Sequence, residues 1–175
     1  VWLIIAATAI PVFMATLDNL VVTNALPVIA KDLGASLSQL QWIVNAYTLV
    51  CGGFLLLGGR AADLLGRKRL FVAGIGIFSV ASLANAFATS GEMLIIARGF
   101  QGLGAALMTP QTMAVITRIF PAERRGSAMS LWGATAGVAT LVGPIAGGVL
   151  VDGLGWQWIF FVNVPIGIIA MTLAW

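Results

Sequence analysis

A short basic connector separates two long apolar segments of this chain and reads Gly58-Gly59-Arg60-Ala61-Ala62-Asp63-Leu64-Leu65-Gly66-Arg67-Lys68-Arg69-Leu70-Phe71. It contains four of the nine Lys and Arg residues of the chain. Basic residues concentrated beside apolar segments of membrane length mark the cytoplasmic side of a bilayer. The stretch therefore predicts a membrane protein and assigns this connector to the cytoplasmic side.

The pattern of this connector recurs 89 positions later. When residues 58–72 are aligned with residues 147–161, six of fifteen positions are identical, and Asp63 is matched by Asp152. The basic triplet Arg67-Lys68-Arg69 is replaced by Trp156-Gln157-Trp158. A repeat that keeps its glycines and aspartate but exchanges cations for tryptophans indicates one hairpin built on opposite faces of a membrane. Inverted repeats of this kind are typical of transporters.

The composition excludes most soluble classes of protein. Of the 175 residues, 60% are hydrophobic and 9% are charged, whereas soluble domains carry about 25% charged residues. The net charge of +3 does not indicate nucleic-acid binding, because seven of the nine basic residues lie in two connectors. The chain has no histidine and one cysteine, Cys51, so histidine-based catalysis and an internal disulfide are excluded.

Six apolar segments of about membrane length follow one another. They are Trp2–Pro27, Trp42–Gly59, Leu70–Ala88, Met93–Ile119, Ala128–Val151 and Ile159–Trp175, here called spans 1 to 6. Basic connectors follow spans 2 and 4, so both ends of the chain are predicted to be cytoplasmic, and we expect the bilayer to be the plasma (inner) membrane. Tryptophans lie at the predicted boundaries, with Trp2, Trp132 and Trp175 on the inner side and Trp42, Trp156 and Trp158 on the outer side.

The predicted fold is an all-α membrane protein with six transmembrane helices. Residues 1–175 would form one transmembrane bundle built from two inverted three-helix repeats, at about 1–88 and 93–175. Three spans is an odd number, so the second copy enters the membrane from the opposite side. The predicted connectors are short, and Ser36-x-x-Gln39 has the spacing of a capping box that begins a helix leading into span 2.

Two charged residues lie within the spans away from their ends, Asp18 in span 1 and Arg98 in span 4, while Arg118 lies at the cytoplasmic end of span 4. Either charge would cost about 2.5–3.5 kcal/mol or more at a helix centre if it stood alone in lipid. Counted from the predicted boundaries, both lie in the outer half of the bilayer at similar depth. We therefore expect them to pair, directly or through water. The pair is either a structural ion pair or a proton-coupling site, in which Asp18 takes up protons beside a cation.

Other polar and small residues within the spans are candidates for function. Residues predicted to line a substrate cavity are Asn19, Thr23, Asn24, Tyr47 and Gln101. In span 4, Arg98, Gln101, Gly102 and Ala105 fall on one face, which suits a cavity wall. Span 5 carries Gly143, Pro144, Gly147 and Gly148. Small residues spaced by four allow close helix packing and the proline bends the helix, so this segment is either a tight contact or a moving seal.

The sequence argues against an enzyme. It contains no Walker-type Gly-x4-Gly-Lys-Ser/Thr, so the chain has no ATP site of its own. Its other carboxylates are scattered over connectors, so no metal site is predicted. The glycines of residues 99–104 lack the spacing and strand context of a dinucleotide-binding loop. We expect no cofactor, with a proton gradient as the energy source.

Several motifs resemble those of the major facilitator superfamily. Gly59-x3-Asp63-x2-Gly66-Arg67-Lys68 is similar to its signature between spans 2 and 3, which the resemblance makes a gating loop. Arg98-x2-Gln101-Gly102-x-Gly104-Ala105-Ala106 resembles its span 4 motif, and Ala139-x3-Gly143-Pro144-x2-Gly147-Gly148 its antiporter motif. Two further stretches, in residues 17–27 and 156–167, resemble the fourteen-span drug:proton antiporters. Leu64 departs from the pattern, since the family often has Arg there.

The resemblance implies that the chain is the N-terminal six-helix half of a transporter whose second half is absent from it. The implied function is proton-coupled export of small lipophilic or cationic compounds by alternating access, with Asp18 and Arg98 as the coupling residues. The implied partners are the small-molecule substrate, the lipid bilayer and the missing half. Two alternatives stay open: an uptake-type member of the superfamily, and a half-length membrane protein that senses a ligand or regulates a transporter.

Overall fold

The computed structural model describes residues 2–175, and within this range it contains helices and no strand. The helices are α1 (Trp2–Leu33), α2 (Leu37–Leu65), α3 (Arg67–Ala86), α4 (Gly91–Ile119), α5 (Ala122–Gly153), α6 (Trp158–Phe161) and α7 (Asn163–Ala174). Each of the first five corresponds to one predicted span, and α6 with α7 corresponds to span 6. The all-α prediction is confirmed.

Most helices extend beyond the predicted spans. α1 continues through Pro27 to Leu33, because a proline removes a single backbone donor and need not end a long helix. α2 begins with the predicted capping box, in which the Ser36 hydroxyl accepts from the amide of Gln39 and the Gln39 side chain accepts from the amide of Ser36. α2 and α3 are joined by Gly66 alone, whose φ of 97° is in the region that favours glycine.

The hydrogen-bond ladder of the sixth span is interrupted at Val162, which lies between the end of α6 at Phe161 and the start of α7 at Asn163. Pro165 causes this interruption, because it has no N–H group to donate to the carbonyl of Phe161, one turn earlier in the chain. The backbone stays helical nevertheless, since Val162 has φ −59° and ψ −31° and donates to the carbonyl of Trp158. α6 and α7 therefore form one continuous apolar helix, Trp158–Ala174.

The helices pack in a pattern that two related repeats require. α4 packs against α2 and α3, and α1 packs against α5 and α7. The predicted repeat equates α1 with α4, α2 with α5 and α3 with the sixth span. Under this equivalence the contact of α4 with α2 corresponds to that of α1 with α5, and the contact of α4 with α3 corresponds to that of α1 with α7. The inverted orientation of the two repeats, and their bounds at about 1–88 and 93–175, stay predictions.

Within the described residues, four helices are long and apolar enough to cross a membrane by length and composition: α1, α2, α3 and α5. The sixth span forms one shorter apolar helix, Trp158–Ala174, and α4 has Arg98, Gln101 and Gln111 buried along its length. In α2 and α5 only 11% and 17% of the most apolar window are buried inside the bundle, against 44% in α1 and 56% in α3. The two helices therefore present apolar faces outward, to lipid or to further protein.

One tryptophan predicted to lie in the outer aromatic belt is buried instead. Trp156 is 1% exposed, and its indole Nε1 donates to Asp32 Oδ2 at 2.9 Å. Its ring also packs edge-on against Phe160. This contact fixes the connector after α5 to the end of α1.

Candidate functional site

Asp18 and Arg98 form a direct ion pair in the centre of the bundle. Arg98 NH1 lies 2.6 Å from Asp18 Oδ2, and both side chains are fully buried. α1 supplies the carboxylate and α4 supplies the guanidinium, as the depth argument predicts. A charge-assisted hydrogen bond of this length, shielded from water, is a strong interaction. The predicted contact is present, and its role in proton coupling stays a prediction.

The guanidinium of Arg98 is held by more than the carboxylate. Its Nε donates to the backbone carbonyl of Ile43 at 3.2 Å. Its NH1 also donates to Gln101 Oε1 at 2.9 Å, and its NH2 donates to Asn19 Oδ1 at 3.3 Å. The Tyr47 ring lies beneath the guanidinium, with its centroid 4.3 Å from Cζ, at cation–π distance. Three helices thus fix the cation, so its position does not depend on Asp18 alone.

The second oxygen of Asp18 is bound from the opposite side of the site. Asn163 Nδ2 donates to Asp18 Oδ1 at 2.6 Å and to Ser82 Oγ at 3.0 Å. The Ser82 hydroxyl donates to the carbonyl of Phe160 at 2.9 Å. Asn163 is the first residue of α7, so the sixth span supplies the amide that binds the carboxylate. Both carboxylate oxygens are therefore occupied, and Asp18 has no contact with water.

A third polar pair lies beside Arg98. Asn85 Nδ2 donates to Gln101 Oε1 at 2.8 Å. The same Gln101 oxygen accepts from Arg98, which fixes the orientation of its amide. Asn85 Oδ1 and Gln101 Nε2 are buried without a hydrogen-bond partner. The network therefore reaches from α1 through α4 to α3 and retains one spare donor and one spare acceptor.

Two of the predicted cavity residues are buried in this structure. Gln101 is fully buried and Tyr47 is 7% exposed. Their contribution to a substrate cavity stays a prediction. The face of α4 that carries Gln101 packs against the part of α2 that carries Tyr47, because Gly102 lets the backbone of α2 approach closely. A Cβ atom built on Gly102 would lie 2.5 Å from the carbonyl oxygen of Tyr47. Arg98 and Ala105 of the same face are buried too.

The other cavity candidates lie at the edge of the network or outside it. Asn19 is half-buried and contacts Arg98. Thr23 and Asn24 are exposed on α1, and the Thr23 hydroxyl donates to the carbonyl of Asn19 in its own helix. The contribution of these side chains to a substrate cavity stays a prediction.

The predicted gating loop lies at one end of the bundle, away from the ion pair. Asp63 Oδ1 accepts from Arg67 NH2 at 2.8 Å in an exposed salt bridge. Lys68 Nζ donates to the carbonyl of Trp175 at 2.6 Å. Gly59 lies near Pro110 of α4, and Gly66 is the link between α2 and α3. The loop therefore joins the ends of α2, α3 and α7, and its gating role stays a prediction.

In the predicted antiporter motif, two of the four residues contact another helix. Gly143 and Gly147 are buried against α1, where Cβ atoms built on them would lie 3.1 Å from Leu20 Cβ and 3.2 Å from Val21 Cγ1. Pro144 is exposed, and nothing lies within 4 Å of a Cβ built on Gly148. The predicted close contact is therefore present, and it joins α5 to the helix that carries Asp18.

Three residues of this network are not among the predicted site residues: Ser82, Asn85 and Asn163. For Ser82 and Asn85 the signal in the sequence is a polar residue within an apolar span. Asn163 also stands in residues 156–167, which resemble the drug:proton antiporters, but that resemblance gave it no role. In the described residues, no group of three or more His, Cys, Asp or Glu side chains is placed to hold a metal ion.

Comparison with known proteins gives the family. The model of the Major Facilitator Superfamily matches residues 8–175. The chain belongs to the major facilitator superfamily. A solved structure of a D-xylose-proton symporter superposes with a TM-score of 0.85 over 99% of this chain and 47% of that chain, at 15% identity. It confirms the six-span fold, including α4 and the shorter helix of the sixth span.

Relatives whose names give different functions are similar to the chain in sequence. The chain is 49% identical over 173 residues to the uncharacterized MFS-type transporter Rv1250 of Mycobacterium tuberculosis, covering 99% of this chain and 30% of that protein. It is 37% identical over 172 residues to the riboflavin transporter RibZ of Clostridioides difficile, covering 98% and 38%. It is 40% identical over 169 residues to the multidrug transporter MdtP of Bacillus subtilis, covering 97% and 31%. The chain spans about a third of the length of these relatives.

Proposed function

We propose that this chain forms the N-terminal half of a proton-coupled transporter that exports small lipophilic or cationic compounds by alternating access. The observation that carries the proposal is the fully buried pair of Asp18 and Arg98. An ionisable pair inside a membrane bundle is expensive to maintain, and such groups commonly form proton relays. The superfamily and its named relatives indicate a transporter rather than an enzyme.

The geometry suits reversible protonation of Asp18. When the carboxylate takes up a proton it loses its charge, and the ion pair weakens. Arg98 is not left without partners, because Ile43, Gln101 and Asn19 still accept from it and Tyr47 still lies beneath it. The cation is thus held in both states, while the tie between α1 and α4 strengthens or weakens with the charge of Asp18.

Proton exchange must be accompanied by movement. Both oxygens of Asp18 are occupied and its side chain is shielded from water. Helices must therefore separate before a proton can arrive from either side, which couples protonation to a conformational change. One proton crossing a membrane potential of 100 mV supplies about 2.3 kcal/mol, enough for roughly a 50-fold concentration ratio.

The second half and the substrate are further parts of the proposal. The outward faces of α2 and α5 are largely unburied, and we assign them to contacts with the missing half and with lipid. Thr23 and Asn24 are exposed on α1 and are available to a substrate between the halves. We place the protein in the plasma (inner) membrane with both ends of this segment in the cytoplasm, following the basic connectors.

Two observations favour export over uptake: the resemblance of span 5 to the antiporter motif, and the name of one relative. The antiporter motif is present, and MdtP is named a multidrug transporter. Uptake is the second candidate, because RibZ is named a riboflavin transporter and the solved structure is that of a sugar–proton symporter. A half-length sensor or regulator is a third candidate, kept from the sequence analysis.

The test uses the full-length transporter in sealed vesicles with a known orientation and an imposed pH gradient. A fluorescent lipophilic cation serves as the probe, and Asp152→Asn, which changes an exposed carboxylate, is the matched control. We expect uphill movement of the probe against the proton flow in the parent and in the control, and none in Asp18→Asn. Probe movement in the same direction as the protons would indicate uptake. Absence of transport in the parent would favour the sensor.

A further inference from the structure

Asn163 contacts the carboxylate of Asp18 on the side opposite to Arg98, and its amide orientation is fixed. Its Nδ2 donates to Asp18 Oδ1 at 2.6 Å and to Ser82 Oγ at 3.0 Å. The Ser82 hydrogen is committed to the carbonyl of Phe160. Asn163 is 1% exposed and Ser82 is fully buried. Both groups that face the amide are therefore acceptors, and only the NH2 end of Asn163 can satisfy them.

A proton on Asp18 would change which atom donates and which accepts the hydrogen bond between Asp18 and Asn163. Protonation forms an O–H bond at Asp18 Oδ1, and that atom becomes a donor. The bond from Asn163 Nδ2 then breaks. Rotation of the amide by half a turn presents Asn163 Oδ1, which accepts from the new O–H group. Ser82 can then donate to the same amide oxygen, and its bond to the carbonyl of Phe160 is released.

We propose that Asn163 is a positioning residue that senses the protonation of Asp18 through this amide rotation and transmits it to the contact between α3 and the sixth span. The inference rests on the proposed role of Asp18 in proton coupling. Phe160 and Asn163 lie within one turn of each other in the sixth span, on either side of Val162. The bond from Ser82 to Phe160 ties α3 to α6 while Asp18 is charged. The neutral acid releases this tie.

Arg98, from α4, is the charged group that faces Asp18 in the described part of the chain. Tyr47 of α2 contributes a phenol ring beneath the guanidinium. α3 and α7 present neutral groups, among them Ser82 and Asn163. α5 contributes no charged group at this contact, since its Gly143 packs against Leu20 and Leu17 of α1. The hydrogen bond from Asn163 and the charge of Arg98 are therefore the two interactions that favour the ionised carboxylate.

The test follows the carboxylic acid band of Asp18 by infrared difference spectroscopy of the full-length transporter during a pH titration. The band is assigned by its loss in Asp18→Asn. The variants are Asn163→Ala, the isosteric Asn163→Asp, and Ser82→Ala. The matched control is Ser79→Ala, which removes a buried hydroxyl of α3 that lies against Gly167 of α7 and has no hydrogen-bond partner.

In Asn163→Ala the ionised form loses a hydrogen bond that is stronger to a charged acceptor than to a neutral one. The midpoint of the titration should therefore lie at higher pH than in the parent. Asn163→Asp should also take up its first proton at higher pH, because two adjacent carboxylates share it. Ser82→Ala should leave Asp18 titrating but reduce proton-driven transport, while Ser79→Ala changes neither.

The inference is overturned if the midpoint is the same in the parent, Asn163→Ala and Asn163→Asp, or if the Ser79 control moves it as far. It is also overturned if Ser82→Ala transports as well as the parent. A parent spectrum without a titrating band that Asp18→Asn removes would instead contradict the proposed function itself. The two failures are therefore distinguishable.

Discussion

The two members of the buried ion pair should differ in how much stability is lost when each is replaced. In Asp18→Asn, Arg98 keeps its bonds to Ile43, Gln101 and Asn19 and its contact with Tyr47. Arg98 then remains a buried cation without its counterion, but these contacts partly offset the loss. We therefore expect the free energy of unfolding to fall by the lower part of the range of about 3–5 kcal/mol for removing one member of a buried pair. In Arg98→Met, the carboxylate keeps Asn163 alone. A buried charge left without its partner costs about 3–5 kcal/mol, so this variant should be the less stable one.

The double variant Asp18→Asn with Arg98→Met separates pairing from packing. With both charges removed no uncompensated charge is left, so the double variant should be more stable than Arg98→Met alone. The coupling energy between the two positions should fall within about 0.5–3 kcal/mol. Unfolding in mixed micelles, followed by tryptophan fluorescence, measures each free energy. The reasoning is refuted if Asp18→Asn is the more destabilising single change, or if the two single effects add without coupling.

Two further predictions concern topology and packing. Cysteines introduced at Arg67 or Arg124 should react only with membrane-permeant thiol reagents in sealed cells, whereas cysteines at Ser36 or Gly153 should react with impermeant ones; labelling of the Arg67 site by an impermeant reagent would contradict the proposed orientation. Gly102→Ala should lower the free energy of unfolding by about 1–3 kcal/mol, because its Cβ would lie 2.5 Å from a backbone oxygen of α2. Gly126→Ala, with nothing within 4 Å, is its matched control, and an equal loss of stability in both would show that the close helix contact is not the cause.

Much of the fold could be predicted because connectors in a membrane protein carry strong signals. Basic residues, caps and turn residues mark the points where the chain leaves the apolar layer, and Ser36 begins α2 as its spacing predicts. The interruption of hydrogen bonding in the sixth span is not predicted, although Pro165 causes it. Pro27 of α1 and Pro165 both leave the backbone helical, so a proline within a span does not by itself mark the end of a helix.

The site was predicted only in part, for a reason particular to membrane bundles. The cost of an unpaired charge in lipid is large enough to predict that Asp18 and Arg98 meet. Lipid-facing and interior faces of a span are both apolar, so periodicity does not reveal which face is buried. Gln101 was therefore placed on a cavity wall, although the structure buries it. Asn163 lies 145 residues from Asp18 in the chain, and no local pattern connects them.

The central claim, that Asp18 couples substrate movement to proton movement, is tested most directly by measuring protons rather than substrate. A gradient of a lipophilic cation is imposed across sealed vesicles that contain the full-length transporter, with no initial pH difference and with the membrane potential clamped. The account predicts that the outflow of the cation drives protons in the opposite direction in the parent and in Asp152→Asn, and that Asp18→Asn moves none at matched protein levels. Proton movement in Asp18→Asn equal to that of the parent would contradict the account.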